Sequence, residues 1–297
     1  TAKPVNVNFF CHELTAPDQD RDTAWKRHLA AYYEELGLDA SVSAPAVNRA
    51  PFDEAMCEIV EDTKPEVVSF HFGLPAKPLL ERVKAADSRV LSSATTVEEA
   101  RWLEDNGCDA IIAQGYEAGG HRGMFLTDDI AMQAGTFALV PQIVDAVKVP
   151  VIAAGGIADG RGVVAAFALG ASGVQIGTAY LFTPESLISD LHRTALGAAR
   201  DDGTALTNLF SGRPARGLMN RIMREIGPMS GLAPAFPTAG GALAPLKAAA
   251  EAQGASDFTS LWSGQAAGLC HEIGSGDLTR RLAEDAADAA HGLDPLA

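Results

Sequence analysis

Residues 149–181 read V-P-V-I-A-A-G-G-I-A-D-G-R-G-V-V-A-A-F-A-L-G-A-S-G-V-Q-I-G-T-A-Y-L, and this stretch decides the fold. Residues 149–154 are a short apolar run of the kind buried on both faces of a parallel sheet, leading into Gly155-Gly156 and then a helix-like segment. Residues 173–176 form a second apolar run, closed by Gly177-Thr178. The unit is therefore βαβ, with small residues at each strand end where a backbone can approach a ligand closely. Glycine after a single parallel strand is as readily plain turn geometry. Two such turns side by side make a phosphate cradle, because backbone N–H groups are free to point at an anion beside a helix N-terminus. The run G-G-I-A-D-G-R-G lacks the G-x-G-x-x-G spacing of a dinucleotide site, and Q-I-G-T at 175–178 stands where an acidic residue would end the next strand. The pattern suits the phosphate site of a TIM barrel, built by the loops after its last strands.

Working outward, 297 residues with 47% hydrophobic side chains suffice for one large α/β domain, since a parallel barrel takes about 250 residues. No apolar run approaches the roughly 18 residues of a membrane-spanning helix. A net charge of -15 argues against nonspecific binding to nucleic acid or anionic membranes. Cys11, Cys57, Cys108 and Cys270 are widely spaced without a C-x-x-C, which fits reduced thiols in a cytoplasmic protein, with Cys57 and Cys108 as packing residues. No metal-binding spacing is present, and no G-x-S-x-G elbow.

Further apolar runs at residues 5–10, 67–72, 89–93 and 110–114 read as strands, separated by helical patterns at 23–36, 54–63, 78–86 and 96–106. Trp25, Leu29, Tyr32, Tyr33 and Leu36 share one helix face and read as core. Thr96 followed by Glu99 is a capping-box pattern. With no antiparallel hairpin signal, the chain reads as parallel α/β. Residues 186–258 read as a helical lid or insertion within a single domain, 1–297.

Asn8 is unusual in a strand; it either meets a ligand at the barrel mouth or satisfies a neighbouring loop. His12 reads equally as a polar loop residue or a ligand contact, and His71, inside a strand, as a satisfied core histidine or a catalytic one. His121 lies in the glycine-rich loop Q-G-Y-E-A-G-G-H-R-G at 114–123, directly after a strand, and is the candidate active-site histidine.

Together V-N-V-N-F-F-C-H (5–12), W-x-x-x-L-x-x-Y-Y-x-E-L-G (25–37), A-Q-G-Y-E-A-G-G-H-R-G (113–123), the glycine unit above and L-W-S-G-Q (261–265) resemble the nitronate monooxygenase family, formerly 2-nitropropane dioxygenases, over nearly the whole chain. The resemblance implies an FMN-holding (β/α)8 TIM barrel that oxidises alkyl nitronates or nitroalkanes with O2 to a carbonyl compound and nitrite. It implies that Asn8 and Gln114 contact the flavin ring region with Gly119 beside it. Gly155, Gly156, Gln175, Gly177 and Thr178 would hold the phosphate, and Ser263, Gly264 and Gln265 would close over the cofactor. His121 falls on the family's active-site histidine, as base or hydrogen-bond donor. FMN-dependent enoyl-acyl-carrier-protein reductases share the E-A-G-G-H loop and the A-G-G-I-A-D-G turn and are the rival reading; a non-catalytic flavin scaffold is a third.

The strands counted here number six where a closed barrel has eight. The resemblance places 5–10 as the third strand, so the expectation is a barrel without its first two β/α units, completed by a companion N-terminal fragment. A homodimer is also allowed for.

Overall fold

The computed structural model describes residues 3–16, 18–40 and 49–292. All six apolar runs form strands: β1 (Asn6–Phe10), β2 (Val67–His71), β3 (Arg89–Ala94), β4 (Ala110–Gln114), β6 (Val151–Ala154) and β7 (Gly173–Gln175). They pair in parallel in the order β1-β2-β3-β4-β6-β7. Parallel neighbours need a crossover, and helices supply it: α3 (Glu54–Thr63), α4 (Lys77–Ala85), α5 (Val97–Asp105), α6 (Thr136–Ala146) and α7 (Gly160–Ala168). The main core lies between sheet and helices. There Val68, Phe70, Val90, Ile111 and Val151 meet Val83, Leu103, Leu139 and Ile143. This is the α/β arrangement of a TIM-barrel-like fold, with six parallel strands among the described residues and open edges at β1 and β7.

Helix starts follow local chemistry. Asp53 caps α3 by accepting from the N–H of Met56, and Thr96 caps α5 by accepting from Glu99. The expected reciprocal bond does not form at Thr96. Glu99 is fully buried and instead accepts from the N–H and Oγ of Thr95 and from the N–H groups of Phe125 and Leu126, tying the β4 loop to the end of β3.

The helix expected over 23–36 begins earlier and is broken: α1 is Gln19–His28, capped by Asp18, and α2 is Ala30–Glu35. Its aromatic face is core, packed on α11 (Gly240–Ala252), with Trp25 Nε1 donating to Ala239 O and Tyr33 OH to Ala242 O. The region after 186 departs from its helical reading. Between α9 (Asp190–Gly197) and α10 (Arg221–Glu225) runs an antiparallel pair, β8 (Thr204–Thr207) and β9 (Ala215–Leu218), and β5 (Gly120–His121) adds to β9. These strands have four residues or fewer, and β9 buries Arg216 and Gly217 where an apolar residue would have signalled a strand. Arg216 is satisfied by Tyr116 O and Thr204 Oγ. The pairing carries the candidate histidine into a second, small sheet. A short α8 (Thr178–Leu181) follows β7, and α12 (Ser275–His291) packs on α7.

Candidate active site

The carboxyl ends of the parallel strands open into a cleft of about 360 Å³. Asn8, Gln114 and Gln175 reach it from β1, β4 and β7. Asn8 also accepts a bond from Ser69 Oγ of the adjacent strand β2, so its side chain is satisfied within the sheet and not by a loop. Gly155 and Gly156 turn away from β6 with φ of 109° and 73°, left-handed conformations that favour glycine, and Gly177 and Thr178 form the matching turn after β7. Thr136 Oγ donates to Gly155 O, and the Glu117 carboxylate accepts from Thr136 N–H, so the first turn is anchored from outside.

Ser263 and Gly264 cover the cleft from the C-terminal side. Gly264 N–H donates to Thr178 Oγ, and a Cβ on Gly119 would lie 2.5 Å from Gly264 N, so these two backbones touch only because residue 119 is glycine. Gln265 is not brought to the cleft. Its N–H donates to Glu117 O, and it lines a separate cavity beside Tyr116 and Gln133.

His121 lines the cleft and is held from three sides. Gln114 Nε2 donates to His121 O while Gln114 Oε1 accepts from Gly123 N–H, and His71 Nε2 lies 3.1 Å from the same His121 carbonyl. A carbonyl only accepts, so His71 carries its proton on Nε2 and its Nδ1 accepts from Ser93 Oγ at 3.1 Å. His71 is thus both a satisfied histidine and a wall of the cleft. Beside it the fully buried Arg122 guanidinium donates to the carbonyls of Gln114 and Gly115 and to Gln133. The His121 ring itself has Nε2 2.8 Å from Ser211 Oγ, with Trp262 and Phe236 each 5.5 Å away centre to centre.

Burial lowers the His121 imidazole to about 3, and His71 and the charges of Arg49 and Arg213 push the same way. Burial likewise lowers His71 to about 4, against the favourable His121 carbonyl. Both rings are neutral at pH 7. Ser93, Ser211 and Phe236 carry no signal in the sequence, whereas Trp262 lies within the L-W-S-G-Q motif at 261–265. Among the described residues no three His, Cys, Asp or Glu side chains converge as metal ligands, and no helix is long and apolar enough to cross a membrane.

Parallel strands ending in paired glycine turns, with a buried neutral imidazole at the same mouth, make a TIM-barrel-like fold with a cleft suited to an anionic group. The family model for nitronate monooxygenase matches residues 1–285. The chain belongs to the nitronate monooxygenase family, whose members are flavin-dependent enzymes. It is 42% identical over 287 residues to a nitronate monooxygenase of Pseudomonas aeruginosa, covering 96% of this chain and 82% of that one. A Paraburkholderia phytofirmans nitronate monooxygenase is 39% identical, covering 95% and 78%. Among solved structures, a nitroalkane oxidase from Streptomyces ansochromogenes superposes with a TM-score of 0.88 at 37% identity, covering 99% of this chain and 83% of that one. FabK from Thermotoga maritima is more distant, with a TM-score of 0.67 at 26% identity, covering 99% and 79%.

Proposed function

We propose that the protein oxidises alkyl nitronates with O2, giving a carbonyl compound and nitrite, with FMN in the cleft. The observation that carries this reading is the neutral, buried His121 facing the glycine-lined cleft, with the Arg213 and Arg49 charges bearing on it. A histidine held near 3 is a weak base for a carbon acid but a good hydrogen-bond donor to an anion, and the two guanidinium charges favour an anionic substrate. His121 therefore serves to bind and orient the nitronate, and the choice between base and donor falls to donor.

The residues fit FMN. Gly155, Gly156 and Gly177 offer backbone to a phosphate, with Gln175 and Thr178 at its sides, while Asn8, Gln114 and Gly119 lie where the ring system would rest. Ser263 and Gly264 close the cleft, and Gln265 contributes through its backbone bond to Glu117. A single phosphate cradle without a dinucleotide fingerprint favours FMN over FAD. When bound, the flavin supplies the electron-transfer chemistry. Residues 1–297 act as one domain, with 186–258 covering the mouth.

Oxygen uptake with ethylnitronate, nitrite release and the mononucleotide recovered on denaturation test this together. The expected result is stoichiometric nitrite and FMN. Steady NAD(P)H consumption with an enoyl thioester, and none with nitronates, would replace the reading by that of the FabK-like reductases.

A further inference from the structure

His12 follows β1 and is 4% exposed, yet neither ring nitrogen has a hydrogen-bond partner among the described residues. The Arg49 backbone is close enough to favour the charged ring, but it makes no hydrogen bond of acceptable geometry. Burial dominates and lowers the imidazole, so it is neutral, with one nitrogen to donate and one to accept. A buried polar group left unsatisfied is destabilising and calls for an explanation.

What surrounds His12 supplies one. Phe236 lies 4.7 Å from the His12 ring and 5.5 Å from the His121 ring. Phe72 lies 6.4 Å and 6.0 Å from the same two rings, and Phe10 lies 6.5 Å and 6.0 Å from them. Three phenyl rings therefore each lie within 6.5 Å of both imidazoles. Phe10 also lines the cleft. Phe72 holds its place with φ of 70°, a strained conformation for a bulky residue, under the Arg213 guanidinium at 4.3 Å. Phe236 differs from the other two because it comes from a turn between elements, outside the parallel sheet. Its segment abuts Gly212, where a Cβ would lie 2.3 Å from Pro234 O and 2.5 Å from Phe236 N.

We propose that the substrate compartment continues from His121 past Phe236 to His12, that Phe236 sets the chain length admitted, and that His12 takes the hydroxyl end of longer ω-hydroxy nitronates. The proposal rests on the nitronate reading of the site. A hydroxyl complements a neutral imidazole, since each can donate once and accept once. Short alkyl nitronates are served with Phe236 in place; longer ones need its ring turned aside.

The test compares ethylnitronate, hexylnitronate and ω-hydroxyhexylnitronate in the wild-type holoenzyme, Phe236→Ala, the milder Phe236→Leu, and Phe236→Ala combined with His12→Phe. The hexyl-to-ethyl ratio of kcat/KM is expected to rise about tenfold or more in Phe236→Ala, within the range a hydrophobic pocket discriminates per methylene. The preference for ω-hydroxyhexylnitronate over hexylnitronate should appear in Phe236→Ala and vanish with His12→Phe. Anaerobic titration of the bound flavin's absorbance with each nitronate reads the same compartment without turnover. If the wild type oxidises no nitronate, the functional reading fails while that titration still reports on the compartment. His12→Phe alone should keep or raise Tm, because it removes an unsatisfied polar group. An unchanged chain-length ratio in both Phe236 variants, or a hydroxyl preference that survives His12→Phe, overturns the proposal.

Discussion

His121 and His71 meet at one cleft. His121 presents its ring to the cleft, while His71 holds the His121 carbonyl and is itself fixed by Ser93. Replacing His121 by Ala should leave flavin absorbance intact and lower kcat/KM for ethylnitronate by about 10²-fold, the scale of losing one oriented donor to a developing anion. Near-normal oxygen uptake in that variant would remove His121 from the site. His71→Ala leaves the His121 carbonyl with Gln114 alone and orphans Ser93 Oγ. It should therefore lose about 1–3 kcal/mol of stability together with part of the turnover, and an unaltered urea midpoint would contradict the clamp. The chain motifs pointed to His121 because glycines and a preceding strand surround it in sequence. Ser211 and Phe236 were not legible, since Ser211 is 90 residues from the ring it contacts and nothing local marks it.

Elements position this chemistry through backbone contact more than through side chains. The loop carrying Ser263 and Gly264 rests directly on Gly119. Gly119→Ala would drive a Cβ into the backbone of Ser263 and Gly264, which cannot yield as a side chain would. Expected are a loss of about 1–3 kcal/mol from overpacking and weaker flavin retention by equilibrium dialysis. Gly177→Ala is the control: no protein atom lies within 4 Å of its Cβ, so Tm should hold. Equal Tm losses in both variants would refute the close-approach argument. The six parallel strands were legible as short, largely apolar runs, of which β2, β4, β6 and β7 are followed within two residues by glycine. The hairpin of β8 and β9 was not, because its buried positions include an arginine whose partners, Tyr116 O and Thr204 Oγ, only the folded chain reveals. Likewise Glu99 satisfied its local capping pattern only halfway, drawn instead to the distant amides of Phe125 and Leu126.

Across the molecule, burying two neutral histidines ties stability to pH. The folded values of His121 and His71, about 3 and about 4, lie below the ordinary 6.5, so between them and 6.5 the unfolded chain binds more protons. Their contribution is fully present above pH 6.5 and is lost as pH falls through that window. The urea midpoint at pH 7.5 should therefore exceed that at pH 5, and a midpoint that rises on acidification would contradict the burial of these rings as neutral groups. The same neutrality carries the functional reading, in which the site receives a nitronate already ionised. The most direct measurement is kcat/KM for freshly prepared ethylnitronate and for nitroethane from pH 5 to 9, with nitrite quantified at each point. The predicted result is a nitronate profile without an acid limb near 6.5 and far slower oxidation of nitroethane. An acid limb centred near 6.5, with nitroethane preferred over its nitronate, would show His121 working as a titrating base and would contradict the account.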